Sequence, residues 1–358
     1  MLGLFKRKKK NSEPSGEIKQ VKIIEIIRET DEATTVVFEQ PNDMTYLPGQ
    51  YITVIFNING ESVRRSYSLC TAPGVDQNPA ITVKKLENGL VSGHIHHTLK
   101  AGDRLDILYP MGNFTWKENT SVKQLIAIAA GSGITPVISV LKSALKNSDV
   151  EKVWLLYGNR NENSIIFKGQ LEALKSECKD RLSIVHTLSQ PSSGWTGVKG
   201  RLNKDLINDT MRKEGLIPEK AISYLCGPAE MMDMAKETLQ DMGLTSDRII
   251  RESFVSTKSG ETAISNDKDR VVTIVLNDEE HTVNVPKGKP ILESGLDQGL
   301  DMPFSCQSGL CSACRGKLIT GEIEMEEDEG LTEDELKQGY VLCCVGHPKT
   351  DDVKIEIG

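Results

Sequence analysis

Cys306-Gln307-Ser308-Gly309-Leu310-Cys311-Ser312-Ala313-Cys314, followed about thirty residues later by a Cys343-Cys344 pair, constrains this chain more than any other stretch. Three thiols in a C-x4-C-x2-C run, answered by one late cysteine, have the spacing that closes four thiolates on the two irons of a [2Fe–2S] cluster. Small residues between them (Ser308, Gly309, Ser312, Ala313) let backbone N–H groups come close to the sulfurs. A structural zinc site with four cysteines is the alternative. Such sites use two short C-x2-C-like knuckles, whereas here one short run faces a single late ligand. Spacing alone does not choose between Cys343 and Cys344.

A cluster loop of this kind needs only a small domain, yet the chain has 358 residues, enough for two or three. The composition, 38% hydrophobic and 26% charged, is that of an ordinary globular protein, and a net charge of −8 argues against a nucleic-acid partner. No apolar run is long enough to span a bilayer. The basic segment near Lys6–Lys10 lacks the apolar stretch of a secretory signal and reads as a solvated tail over residues 1–16, without stable membrane insertion. Four cysteines are claimed by the cluster and the others are scattered, so the expected compartment is reducing and cytoplasmic.

Three further segments follow from patterning. Residues 17–118 carry β-rich runs (Val21–Ile27, Thr35–Phe38, Tyr51–Phe56, Ile81–Leu86) separated by Pro, Gly and Asn turns, which predicts an antiparallel β-barrel with one short helix near Gly93–Leu99. Residues 119–255 alternate apolar strands with helices, the pattern of an α/β doubly wound parallel sheet. One helix is expected from Val137, another over Glu230–Met242. A polar linker over 256–269 leads to residues 270–358, which open with a hairpin around Asn277-Asp278.

Taken singly, the remaining motifs are weak. Arg65-Ser66-Tyr67-Ser68 offers a guanidinium fork for a pyrophosphate and an aromatic face, but also fits a strand with a surface Arg and a half-buried Tyr. Gly89-Leu90-Val91-Ser92 lies at a helix start, where backbone N–H groups favour phosphate. Gly131-Ser-Gly-Ile-Thr-Pro136 is a Gly-rich strand-to-helix turn without the G-x-G-x-x-G form. Cys226-Gly227-Pro228 ends a strand, at the edge where open α/β sheets bind ligands. Cys226 equally fits a small buried hydrophobe. His94, His96 and His97, at i, i+2 and i+3 on one helix, cannot share a face, so no metal site is expected. The acidic stretch Glu322–Asp334 reads as a solvated face.

In their order, R-x-Y-S, G-x-x-S, G-S-G-I-T-P, Y-G-N-R, C-G-P and E-x-F resemble the ferredoxin–NADP reductase superfamily. Gly339-Tyr340-Val341-Leu342-Cys343-Cys344 is similar to the G-Y-V-L-x-C of plant-type ferredoxins. The resemblance covers nearly the whole chain after about Glu17. It implies an FAD barrel, an NAD(P) domain and an α+β, β-grasp ferredoxin-like domain, and it implies Cys306, Cys311, Cys314 and Cys344 as the cluster ligands. It further implies FAD contacts at Arg65, Ser66, Tyr67, Ser68, Val83, Gly89, Val91 and Ser92. Pyridine-nucleotide contacts would come from Gly131, Gly133 and Thr135, with Cys226 and Gly227 near the nicotinamide. Ser68, Cys226, Glu252 and Phe254 are the implied catalytic set. Phe254 of Glu252-Ser253-Phe254 would cover the flavin ring, or equally be a core residue closing the domain.

Arg160 of Tyr157-Gly-Asn-Arg160, with Lys199 and Arg201, could neutralise a 2′-phosphate, which favours NADPH over NADH. Ser189-Gln190 stands where some relatives place a Ser-Arg pair. The implied acceptor is a terminal oxygenase, a CoA-ester epoxidase foremost, or another redox protein, reached by a monomeric reductase. Electron counting agrees: a nicotinamide gives two electrons at once, a cluster takes one, and a flavin can do both. A non-catalytic electron carrier is the alternative of another class.

Overall fold

The computed structural model describes residues 18–58, 60–117, 121–254, 268–304, 306–307, 309, 311–328 and 330–357. The expected tail over 1–16 and most of the expected linker over 256–269 lie outside them.

The first domain contains β1 (Ile18–Thr30), β2 (Ala33–Phe38), β3 (Tyr51–Ile58), β4 (Glu61–Ser68), β5 (Ala80–Lys84), α1 (Leu90–His97) and β6 (Arg104–Met111). The strands form one antiparallel sheet in the order β4-β3-β6-β1-β2-β5, and an antiparallel bridge between Leu69 and Ile81 draws its two edges together. Its interior holds Ile23, Val36, Phe38, Ile52, Val54 and Ile107, residues whose β-branched or bulky side chains suit a half-buried pleat. The helix begins three residues before the expected Gly93 because Gly89, in an extended conformation, already caps it. Ser92 ties that start down. Its hydroxyl accepts from the Leu86 N–H and donates to the Gly89 carbonyl.

In the second domain β7 (Gln124–Ala130), α2 (Ile134–Lys146), β8 (Lys152–Asn159), α3 (Lys168–Cys178), β9 (Leu182–Leu188), β10 (Val198–Lys199), α4 (Lys204–Glu214), β11 (Ala221–Cys226), α5 (Ala229–Asp241) and β12 (Ile249–Glu252) alternate. All strand pairs are parallel, in the order β10-β9-β8-β7-β11-β12. The chain order reverses between β7 and β11, the topological switch point at which ligands of such sheets bind. After Gln124, β7 is apolar because both its faces are covered. The helix after it starts at Ile134, not at the expected Val137. Gly131–Gly133 form a 3-10 turn that runs into it, and Pro136 falls in the first turn, where its missing N–H costs nothing.

The third domain consists of β13 (Arg270–Leu276), β14 (Glu279–Val285), α6 (Ile291–Asp297), β15 (Arg315–Thr320), β16 (Ile323–Met325), α7 (Glu333–Lys337), β17 (Tyr340–Leu342), β18 (Gly346–Pro348) and β19 (Lys354–Ile357). Its main sheet has the order β14-β13-β19-β15-β17, mixed because β13 and β19 run parallel. The expected hairpin is present: Asn277 and Asp278 have φ of 53° and 66°, the left-handed pair that a two-residue turn between twisted strands requires. The acidic stretch needs a correction. It is not uniformly solvated, because Glu327 is 2% exposed and packed beneath the cysteine loop.

Among the described residues no helix is long and apolar enough to cross a membrane. No disulfide joins any of the eight cysteines.

Candidate functional site

The switch point brings the Gly-rich turn and the Cys226 turn together. An added Cβ on Gly133 would lie 2.1 Å from the Cys226 carbonyl oxygen, so only glycine lets the two turns approach this closely. Thr135 is buried, and its hydroxyl donates to the Ser132 carbonyl at 3.0 Å, which spends that hydroxyl on shaping the turn. Cys226 is fully buried at the end of β11. Burial, and then the charge of Glu252, push its thiol well up, so it remains protonated.

Glu252 ends β12, directly beside Cys226 in the parallel ladder. Its carboxylate accepts a hydrogen bond from Ser68 Oγ at 3.0 Å, which ties the second domain to the end of β4. Burial pushes the Glu252 carboxyl up to about 8, against a smaller lowering by Ser68. The Ser68–Glu252 pair can therefore hold a proton near neutral pH, beside the buried Cys226 thiol.

A cavity of about 1360 Å³ opens at this point, between the barrel and the second domain. Gly131, Gly133, Gly227, Arg160, Arg201 and Phe254 line it. It exceeds the usual range for one small ligand, roughly 300–1,000 Å³. Phe254 is 43% exposed, which removes the reading of it as a core residue. Lys199 is exposed on β10 but does not line the cavity, whereas Lys204, which the sequence did not single out, does. Ser189 also faces it, and the Gln190 N–H is bound to the Arg160 carbonyl at 2.7 Å, so the Ser189-Gln190 turn and Arg160 are built as one corner. The barrel contributes Lys84 and Leu86. Leu86, three residues before Gly89, is 64% exposed, an exposure that no local sequence signal indicates.

The R-x-Y-S residues stand outside the lining of that cavity. Arg65 is exposed, and Tyr67 is half-buried with its phenol pushed up to about 12 by burial. Ser66 Oγ faces Thr53 Oγ1 across the ladder at 3.4 Å. Val83 and Val91 have their side chains closed into the barrel core, so contacts there would come from the backbone. His94 packs edge-on to Phe56. His96 Nδ1 meets Thr34 Oγ1 at 2.8 Å inside the barrel, and its ring lies edge-on to that of the exposed His97, centroids 4.9 Å apart.

In the third domain the cysteine loop folds back on the strand after α7. Cys311, Cys314 and Cys344 are buried and Cys306 is half-buried. The thiols face one another, Cys306 against Cys311 and Cys344, and Cys344 against Cys314, and that crowding with burial drives the Cys311 and Cys344 thiols far up. The Cys344 N–H points at Cys314 Sγ, 3.4 Å away. Cys343 is fully buried and faces the core. Its N–H donates to the Cys314 carbonyl, and its own carbonyl accepts from Leu292. A Cβ on Gly330 would come within 2.6 Å of the Cys311 carbonyl oxygen, so the loop is closed tightly from below. Four thiols crowded this closely, with a backbone donor already on one sulfur, fit an iron–sulfur cluster. Without a metal they would be mutually unfavourable once ionised.

This loop rests on the barrel. Tyr51 packs with Cys311 and Ala313. Arg64 lies over the Phe304 ring, 4.2 Å from its centroid, and Asn113 donates to Glu335 at 2.9 Å. Glu335 also caps α7 and pairs with Arg315. Tyr51 and Ser68 are cross-strand partners in the β3–β4 ladder. The thiol loop and the Ser68–Glu252 pair therefore lie against neighbouring positions on the same barrel face.

Comparison with known proteins gives three matches to domain families: the oxidoreductase FAD-binding domain over residues 20–116, the oxidoreductase NAD-binding domain over 127–237, and the 2Fe-2S iron-sulfur cluster binding domain over 274–349. The chain is 33% identical to the ferredoxin reductase component of 3-ketosteroid-9-alpha-monooxygenase from Rhodococcus rhodochrous, over 92% of this chain and 94% of that protein. It is 30% identical to a subunit of 1,2-phenylacetyl-CoA epoxidase from Escherichia coli (strain K12), over 93% and 96%. The solved structure of phthalate dioxygenase reductase superposes with a TM-score of 0.60 at 24% identity, covering 95% of this chain and 98% of that one.

Proposed function

The chain belongs to the family of reductase components of oxygenases that carry FAD-, NAD- and [2Fe–2S]-binding domains, and from that premise we propose that it takes electrons from NADPH and passes them one at a time to a terminal oxygenase. The observation that carries this reading is the shared barrel face: Ser68, bound to Glu252, stands across the ladder from Tyr51, which touches Cys311. Nicotinamide, flavin and cluster would then meet without a long gap.

In this reading Arg65, Ser66, Tyr67, Ser68, Gly89 and Ser92, with the backbone at Val83 and Val91, hold FAD. Gly131 and Gly133 face the pyridine nucleotide on a turn that Thr135 shapes, and Gly227, with Cys226 beneath it, lies near the nicotinamide. Bound FAD supplies the change from two-electron to one-electron chemistry. The protein supplies the rest. The buried, neutral Cys226 packs behind the Gly133 and Gly227 backbone, and Glu252 holds or releases a proton at its carboxyl oxygens beside Ser68. Phe254 covers the ring and keeps water off. Arg160, Arg201 and Lys204 in the cavity lining supply positive charge for a 2′-phosphate, which favours NADPH.

An anaerobic visible spectrum with NADPH and then NADH tests this. Flavin and iron–sulfur bands that bleach, faster with NADPH, are expected, and a preparation with zinc and no iron–sulfur absorption would refute it. For the acceptor we propose a phenylacetyl-CoA-type epoxidase. Reconstitution with the oxygenase subunits of such an epoxidase, and in parallel of a 3-ketosteroid monooxygenase, decides the matter by which substrate is oxidised.

A further inference from the structure

Tyr51 opens β3, and its phenol ends against the thiol loop of another domain. The side chain is 5% exposed and packs with Cys311 and Ala313, with Met111 and Cys306 at the margin. Its place is built. A Cβ on Gly112, where φ is +113°, would lie 2.9 Å from two ring carbons, so the chain turns there without a side chain to leave room for the ring. The hydroxyl is wholly covered and has no hydrogen-bond partner among the described residues. Cys311 and Ser312 are the polar groups beside it.

A buried hydroxyl without a partner is unfavourable, and a phenylalanine would fill the same space without that cost. The oxygen calls for an acceptor. A protonated thiol is a poor one, whereas a thiolate bound to iron carries negative charge and is a good one. We propose that the Tyr51 hydroxyl donates a hydrogen bond to the Cys311 sulfur when that sulfur ligates the cluster, and that this bond raises the cluster's reduction potential. The sign follows from charge. Gaining one electron makes the cluster more negative, so a donor at its sulfur stabilises the reduced form more than the oxidised one. The flavin-binding barrel would thus tune the acceptor that it feeds, from a residue directly across the ladder from Ser68. The proposal rests on the assignment of Cys306, Cys311, Cys314 and Cys344 as cluster ligands.

The test is an EPR-monitored redox titration of the full chain loaded with FAD and cluster, comparing wild type with Tyr51→Phe and Met111→Leu. Tyr51→Phe keeps the ring and loses only the hydroxyl. It is expected to shift the flavin-to-cluster electron equilibrium about tenfold toward the flavin, which is about 59 mV for one electron. The flavin midpoint should not move, and one exchangeable proton coupled to the reduced cluster, visible by ENDOR in wild type, should be missing. Met111→Leu alters the same packing with the hydroxyl in place and should leave the cluster midpoint where it was. A Tyr51→Phe midpoint equal to wild type, or an equal drop in Met111→Leu, overturns the proposal. A wild-type chain with no reduced-cluster signal at all overturns the ligand assignment and this proposal with it.

Discussion

Ser68 Oγ and Glu252 Oε2 are 3.0 Å apart although the two residues stand 184 positions apart in sequence. One ends a barrel strand, the other a strand of the parallel sheet, and their hydrogen bond fastens the two domains just before Ser253 and Phe254, which line the large cavity.

Glu252 makes stability depend on pH in a direction opposite to that of most carboxylates. Its folded-state value, about 8, lies above the ordinary 4.5, so the folded chain holds the proton more tightly than the unfolded one. The stabilisation is complete below 4.5 and is lost as pH rises through about 8. Thermal melts should show wild type losing Tm between pH 5 and pH 9 relative to Glu252→Gln, which stays neutral throughout. Ser68→Ala removes the one group that lowers Glu252 and should move the upper end of that window to higher pH.

Gly133→Ala should be among the most damaging single-methyl additions in the chain. The new Cβ would meet the Cys226 carbonyl, which is backbone and cannot swing aside. Overpacking of this kind costs about 1–3 kcal/mol. Denaturant unfolding should report that loss, and nucleotide-dependent flavin reduction should fall with it.

The two adjacent cysteines should separate cleanly. Cys344→Ser removes a thiol proposed as a cluster ligand and should leave little iron in the purified protein. Cys343→Ala trims a core side chain whose neighbours are apolar and should keep the iron, at a stability cost of about 1 kcal/mol. Iron analysis and the visible spectrum distinguish the pair.

Arg160→Ala and Arg201→Ala should weaken NADPH more than NADH. Both side chains line the cavity, and a lost charge-assisted contact is worth about 1.5–3 kcal/mol, tenfold or more in KM. Steady-state kinetics with both nucleotides is the check. Lys199→Ala, outside the lining, should change the ratio less.

Much of this protein was legible in one dimension. The C-x4-C-x2-C run carries its chemistry in its spacing, and the change from β-rich runs to strand–helix alternation near residue 120 marks a change of fold class because backbone periodicity is local. The Asn277-Asp278 turn was legible because both residues tolerate positive φ. What the sequence could not supply was everything made by contact between distant segments. Glu327 sits in an acidic run and reads as solvated, yet the loop above buries it. Glu252 was placed by its motif, but its raised carboxyl comes from burial at a domain junction, which outweighs the lowering by Ser68. Tyr51 was simply a strand residue. Its covered hydroxyl beside Cys311 exists only because the third domain docks on the first. Spacing and periodicity are properties of neighbours along the chain, whereas burial, and every polarity and proton affinity that follows from it, is set by which surfaces close on one another.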